Sequence, residues 1–197
     1  MRAGSLEEAP PGERGGGGMA IAGPGESGEG ELTNRDWFLS VENLRDQTGA
    51  PQAELINDLS ALGYALARIS TDPVCGTKHE PTNGQALVAG MGTGFNVSPT
   101  RRNARGGLTA MEAELGHAEL PYSVGKLLRD ELGDGADVLV PYEACFCGRG
   151  LERLHQVVSG QRKGGKDIVD GFANGCTNAT RTVRLFARAL GRLTQAM

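Results

Sequence analysis

Long apolar runs and signal sequences are missing from this chain. No apolar stretch approaches the roughly 20 residues that a membrane-spanning helix needs, so we expect no membrane as partner. Residues 1–18 are acidic and rich in glycine, and they contain no apolar region typical of a secretory signal. The 197 residues include only 4 cysteines, too few for a disulfide scaffold. These features predict a cytoplasmic protein with reduced thiols.

An excess of positive charge is also missing. The 20 lysines and arginines are outnumbered by 24 aspartates and glutamates, which gives a formal net charge of −4. Such a chain has no electrostatic basis for binding nucleic acid or an anionic membrane surface. A hydrophobic content of 39% and a charged content of 22% are typical of a globular protein. The length fits one large domain or parts of two.

Cys145, Cys147 and His155 raise the alternative of a zinc site. Their spacing is not that of a zinc ribbon or finger, and a fourth ligand would have to come from a distant segment. We therefore favour the interpretation that the cysteines are buried or half-buried free thiols.

Glycine is concentrated at the start of the chain, where 10 of the 31 fall within the first 30 residues. We predict a disordered tail over residues 1–18, because it has too little apolar surface to order itself. A polar loop near residues 70–84 indicates a boundary. We therefore predict a partial small α/β lobe over residues 19–84 and a partial large α/β lobe over residues 85–197.

Strand and helix patterns alternate along the chain and predict an α/β fold. Strands are predicted at 19–24, 31–37, 53–57 and 85–90. Ser40 and Gly49 are typical cap residues for a helix over 41–48. Further helices are predicted at 58–69, 123–133 and 149–159, and a final helix at the C-terminus buries Val183, Phe186, Leu190, Leu193 and Met197. The stretch 100–107 is predicted to be irregular.

An amide and a carboxylate, Asn57 and Asp58, follow the apolar strand at 53–57. One interpretation is helix capping, in which the carboxylate of Asp58 accepts from the free N–H groups of the next turn. The other is catalytic, because ligands bind at the carboxyl ends of strands in α/β sheets and Asp58 would then act as a base. The junction by itself favours capping.

A glycine-rich turn follows the strand at 85–90. Gly92 and Gly94 let backbone N–H groups approach an anion, and Thr93 adds a hydroxyl. The turn matches neither a P-loop nor a dinucleotide fingerprint. A tight turn and a phosphate-binding loop therefore remain equal alternatives.

Carboxylates and a histidine gather in the segment 112–119, which contains Glu112, Glu114, His117 and Glu119. Such a group would chelate a metal, serve as acid and base, or hydrogen-bond a polyol. A solvated acidic loop is the plain alternative. Glu143 is a further carboxylate close to glycines, just before a Gly-x-Gly turn.

Taken in order, these segments resemble the bacterial glucokinase family, which are ATP-dependent hexose kinases of the sugar kinase–actin–Hsp70 fold. The matching segments are AIAGP at 20–24, LTNRDW at 32–37, LINDLSA at 55–61, GMGTGF at 90–95, ELGH at 114–117 and EACFCGRGL at 143–151. The resemblance covers roughly residues 19–193. It implies a two-lobed actin-like ATPase (ribonuclease H-like) fold with a sugar in the cleft between the lobes.

The resemblance also implies a role for each site residue. Asp58 matches the base that takes the proton from the 6-hydroxyl of glucose or a related hexose. The residues that match ligands of the other sugar hydroxyls are Asn57, Glu114, His117 and Glu143. Those that match the loop against the phosphates of ATP, which the family uses with Mg²⁺, are Gly92, Thr93 and Gly94. For the oligomeric state, a monomer and a homodimer remain alternatives.

The chain departs from the family pattern in four places. Residues 1–18 contain no Asp-x-Gly-Gly-Thr-Asn hairpin, and the strands that follow the family's last helix do not appear, so we expect a fold incomplete at both ends. Asn96 and Leu115 stand where the family has glycines. The sequence therefore predicts a hexose kinase whose isolated chain is impaired. The alternatives are a non-catalytic sugar-binding remnant or regulator, and a structural fragment without a ligand.

Overall fold

The chain divides into two compact units. A computed structural model describes residues 16–21, 29–31, 38–66, 68–74, 83–104 and 107–197. The first unit comprises Met1–Ala86 and Pro99–Glu112, and the second comprises Leu87–Ser98 and Ala113–Met197. The predicted second lobe contains all of residues 85–197, whereas the structure groups Pro99–Glu112 with the first unit.

Short strands organise the first unit. They are β1 (Gly17–Ile21), β2 (Glu29–Glu31), β3 (Phe38–Ser40) and β4 (Ala53–Asn57). β1 pairs in parallel with β4, and β2 pairs antiparallel with β3. β1 begins at Gly17, so residues 17 and 18 are not part of a disordered tail as predicted, while residues 1–15 lie outside the described residues. The strand predicted at 31–37 is described only at Glu31.

Two helices of the first unit start where the sequence predicts. Helix α1 (Val41–Thr48) follows Ser40, whose Oγ accepts from Asn43 N at 3.1 Å, and it ends at Gly49 with φ 65°. Helix α2 (Asp58–Ala65) is shorter than the predicted 58–69. Ile69 is 45% exposed, so apolar packing does not continue the helix to that residue.

A three-stranded sheet is formed by β5 (Gln85–Met91), β6 (Phe95–Arg102) and β7 (Leu108–Ala110), in that order. β6 runs through residues 100–102, so the prediction of an irregular stretch from residue 100 is wrong there. Thr100 lies opposite Ala110 in the antiparallel β6–β7 pair. This pairing, and the contact of β7 with α2, place Pro99–Glu112 in the first unit.

Helices dominate the second unit. They are α3 (Tyr122–Leu132), α4 (Tyr142–Cys145), α5 (Gly148–Ser159), α6 (Gly165–Ala173) and α7 (Thr177–Ala196), with a 3₁₀ segment at Gly133–Leu139. The starts of α3 and α5 lie within one residue of the predicted ones, and α6 was not predicted. The largest buried apolar side chains are Phe146, Leu128, Leu139, Leu154, Ile168 and Leu193.

The face that α7 buries differs in part from the predicted one. Leu185, Ala189 and Leu193 are buried, whereas Met197 is 45% exposed. Cys145 and Cys147 are buried free thiols, as the sequence analysis favoured. Within the described ranges, no helix has both the length and the apolar character needed to cross a bilayer.

Candidate functional site

Asn57 and Asp58 lie at the carboxyl end of β4, in the first unit. Asn57 is 8% exposed, and its Oδ1 accepts from Leu59 N at 2.9 Å and from Ser60 N at 3.3 Å. Asp58 is the first residue of α2 and is exposed, with its Oδ1 accepting from Leu59 N at 2.8 Å. The amide of Asn57 therefore caps the helix, and the carboxylate of Asp58 is accessible from solvent.

Glu112 supports this junction from a distant segment. Its Oε1 accepts from the backbone N of Asn57 at 2.9 Å, across a sequence separation of 55. An ionised acceptor makes such a bond stronger than a neutral one. An open cavity of about 650 Å³ adjoins the junction and is lined by residues of β4, α2 and 110–112. The sequence pattern places Glu112 in an acidic cluster but does not indicate this bond to the backbone of Asn57.

Three predicted site segments meet at Glu143 in the second unit. Its Oε1 lies 3.1 Å from the position that a Cβ on Gly94 would take, and its Oε2 lies 3.5 Å from that of Gly116. Gly94 belongs to the predicted phosphate loop, and Gly116 lies between Glu114 and His117. The side chain of Glu143 is 32% exposed. One carboxylate thus lies beside two of the backbone segments that the sequence analysis singled out.

The turn at Gly92–Gly94 connects β5 to β6. Gly92 N donates to Gly94 O at 2.9 Å, and Gly92 O accepts from Gly148 N at 2.9 Å. Because Gly148 is the first residue of α5, the turn is fixed to that helix. Thr93 is exposed, so its hydroxyl is accessible from solvent.

Glu114 precedes a short 3₁₀ turn, Leu115–His117, whose last residue is His117. Both side chains are exposed, whereas Gly116 between them is buried. A Cβ on Gly116 would lie well inside 3.0 Å of the carbonyl oxygen of Phe95. Only glycine therefore lets this turn lie directly on β6.

A basic cavity of about 350 Å³ lies along α5. Arg149 pairs with Glu143 at 3.6 Å, and the cations that line the cavity are Arg149, Arg153, Arg162 and Lys163. The carboxylate in the lining, Glu152, accepts from Gly165 N at 3.0 Å. No sequence pattern indicates this cluster, because its cations come from two segments that the connection between α5 and α6 brings together.

Sequence comparison gives a consistent set of relatives. The family model described as glucokinase matches residues 8–197. A glucokinase of Caulobacter vibrioides is 32% identical over 187 residues, which cover 88% of this chain and 55% of the relative. A glucokinase of Yersinia enterocolitica is 30% identical over 190 residues, covering 88% and 57%. The chain spans about half the length of the curated relatives it matches.

Comparison with solved structures agrees on the fold. A glucokinase from an Antarctic psychrotroph matches with a TM-score of 0.72 and 26% identity, over 88% of this chain and 57% of that one. A glucokinase from Balamuthia mandrillaris, solved in complex with glucose, matches with a TM-score of 0.63 and 22% identity, over 91% and 59%. The α/β sugar kinase fold predicted from the sequence is confirmed.

Proposed function

Because the chain belongs to the glucokinase family, we propose that it transfers the γ-phosphoryl group of ATP to the 6-hydroxyl of glucose. The observation that carries this proposal is the position of Glu143, beside Gly94 and Gly116. A phosphoryl transfer from nucleotide to sugar requires a sugar-binding segment next to a phosphate-binding one. Within the second unit, Glu143 adjoins one segment that we assign to the phosphates, at Gly94, and one that we assign to the sugar, at Gly116.

The sugar hydroxyls would be held by Glu114, His117 and Glu143. Glucose is uncharged, and each of its hydroxyls both donates and accepts hydrogen bonds. Two carboxylates offer acceptors, and a neutral imidazole offers one donor and one acceptor, with the tautomer deciding which nitrogen donates. A site that pairs each hydroxyl discriminates strongly against analogues that lack one. Asn57 stays a predicted sugar ligand in addition to its role as the cap of α2.

Asp58 would take the proton from the 6-hydroxyl. Its carboxylate is exposed and is held at the first turn of α2 by the N–H of Leu59. Since Asn57 supplies the cap, the stability of α2 does not require the carboxylate of Asp58. A positioned base of this kind contributes roughly 10²- to 10⁴-fold to a rate.

The phosphates of ATP would lie against Gly92–Gly94 and the basic cavity along α5. Four cationic side chains in that cavity complement a polyphosphate, while the carboxylate of Glu152 is already engaged by Gly165 N. Mg²⁺ bound with ATP neutralises charge on the phosphate oxygens and takes most of its ligands from phosphates and water. Among the described residues, no group of three or more ligating side chains converges.

Glucose titration by calorimetry, with and without MgATP, and an assay for glucose 6-phosphate test the proposal. Asp58→Asn should bind glucose within about twofold of the unsubstituted chain but lose at least about a hundredfold in rate. Glu114→Gln should weaken glucose binding about tenfold, which corresponds to one good hydrogen bond to a charged group. Asp46→Asn, an exposed carboxylate of α1, is the matched control and should change neither quantity.

The outcomes separate the proposed function from its alternative. Glucose binding without any phosphorylation would favour a non-catalytic sugar-binding protein. Absence of glucose binding in the millimolar range would contradict both. Loss of MgATP binding in Arg153→Ala, with glucose binding intact, would support the nucleotide assignment of the basic cavity.

A further inference from the structure

We infer that Asn96 is a positioning residue for the segment that carries Glu114 and His117. The inference rests on the proposed function, because it concerns the sugar side of that site. Asn96 lies in β6, between the buried residues Phe95 and Val97. It follows the phosphate loop by two positions.

The side chain of Asn96 joins two segments of the second unit. Its Oδ1 accepts from Val97 N at 2.9 Å and from Leu115 N at 3.0 Å. The second bond spans 19 positions and connects β6 to the 3₁₀ turn at Leu115–His117. Glycine, which the family resemblance leads one to expect at position 96, has no side-chain acceptor for this bond.

Leu115 is the second position where a glycine is expected, and it is the partner of Asn96. Its side chain is partly buried and packs against the apolar core of the second unit. A leucine also has less backbone freedom than a glycine. Asn96 and Leu115, the two residues that stand in place of glycines, therefore fix the same segment. Asn96 accepts from the backbone N–H of Leu115, and the apolar core holds the side chain of Leu115.

The result is a sugar-binding segment that is ordered before the sugar arrives. Glu114 precedes Leu115, and His117 follows Gly116, whose backbone lies directly against Phe95 O. With Leu115 and Gly116 both held, the backbone directions of Glu114 and His117 are fixed. Binding then requires less ordering of the chain, which favours affinity.

Three substitutions at position 96 test this role. Asn96→Ala and Asn96→Gly remove the acceptor, whereas Asn96→Asp keeps an acceptor oxygen at the same reach. Loss of one hydrogen bond should speed amide exchange at Leu115 and weaken glucose binding, each by about twofold to tenfold. Asn96→Asp should restore both. Asn174→Ala, at the exposed C-terminal end of α6, is the control and should change neither.

Amide exchange is measured by NMR without sugar. It therefore reports how firmly the segment at Leu115 is held, whether or not the chain has the proposed function. Unchanged exchange at Leu115 in both Asn96→Ala and Asn96→Gly would overturn the inference. Faster exchange in a chain that binds no glucose would support the role of Asn96 but overturn the proposed function. The loss of glucose affinity in the double variant Asn96→Gly/Leu115→Gly should be smaller, in free energy, than the sum of the losses in the two single variants. Full additivity would show that the residues act separately and would overturn the inference.

Discussion

Substituting Gly116 with alanine should destabilise the second unit and weaken glucose binding. The added Cβ would lie well inside 3.0 Å of Phe95 O and 3.5 Å from Glu143 Oε2. The first obstacle is the backbone of a buried strand, which does not move aside as a flexible side chain does. Phe95 is 4% exposed and stacks on Tyr142 with ring centroids 5.6 Å apart. A shift of β6 would therefore disturb the core.

The size of the effect follows from a comparison with a second glycine. Overpacking in a well-packed region costs about 1–3 kcal/mol, and overlap with backbone favours the upper end of that range. Gly191→Ala in α7 adds the same methyl group where a Cβ meets nothing within 4 Å. Alanine in place of glycine within a helix gains up to about 1 kcal/mol. The two variants should therefore differ by about 2–4 kcal/mol in free energy of unfolding.

Urea denaturation and glucose calorimetry measure the two consequences. Gly116→Ala should unfold at lower urea than the unsubstituted chain and bind glucose at least about tenfold more weakly, because a displacement of about 1 Å is costly in a site. Gly191→Ala should keep its glucose affinity. If Gly116→Ala matched the unsubstituted chain in both measurements, the argument that this turn must lie directly on β6 would be refuted.

Three further predictions concern a thiol, a buried histidine and the β4–α2 junction. The backbone N–H of Ala179 lowers the pKa of exposed Cys176, whereas burial raises the pKa of Cys145 to about 12. Iodoacetamide should therefore label Cys176 before Cys145, and equal labelling rates for these two thiols would contradict this. Burial lowers the pKa of His155 below its ordinary 6.5. The unfolded chain therefore binds the proton more readily than the folded chain does, and the free energy of unfolding should fall as the pH drops below about 6.5. His155→Gln should reduce the change in free energy of unfolding, measured in urea, between about pH 7 and pH 5. An unchanged pH dependence in this variant would show that His155 is not its cause. Glu112→Ala should lower the free energy of unfolding by about 0.5–1.5 kcal/mol, and Glu112→Gln should lower it by less. Identical urea melts for the two variants and the unsubstituted chain would show that the bond from Asn57 N to Glu112 does not stabilise the β4–α2 junction.

Elements with local signals were predictable from the sequence. Helix α1 has its signals beside it in the chain, with Ser40 before it and Gly49 after it. Strand β6 was not predicted, and its second half was expected to be irregular because Pro99 and two arginines interrupt the apolar alternation. Pairing of its residues 100–102 with β7 stabilises that half, and the sequence pattern does not show such a contact.

The candidate site was predictable as a set of residues but not as a set of contacts. The order of motifs singled out Glu114, His117 and Glu143, and their roles stay predictions. The ties that hold these segments join positions far apart in the chain, such as Asn96 to Leu115 and Glu112 to Asn57. Helix α6 was missed for a related reason, since its first turn is bound by Glu152 of α5 rather than by a neighbouring residue.

The β4–α2 junction shows why neighbouring residues of similar capping ability have to be tested separately. Asn and Asp are about equally good caps, but the capping interpretation drawn from the sequence assigned the cap to Asp58. The structure gives both capping bonds of the N-cap position to Asn57. Asn57→Ala should therefore cost about 1 kcal/mol in free energy of unfolding.

Asp58→Ala should cost much less, because its carboxylate makes one exposed bond to Leu59 N. Urea melts of the two variants measure this difference, and a glucose phosphorylation assay on the same samples measures the other role. A catalytic base that is not a cap loses activity without losing stability when it is replaced. If Asp58→Ala lowered the stability as much as Asn57→Ala does, the carboxylate would be part of the cap. The separation of capping from catalysis at this junction would then be wrong.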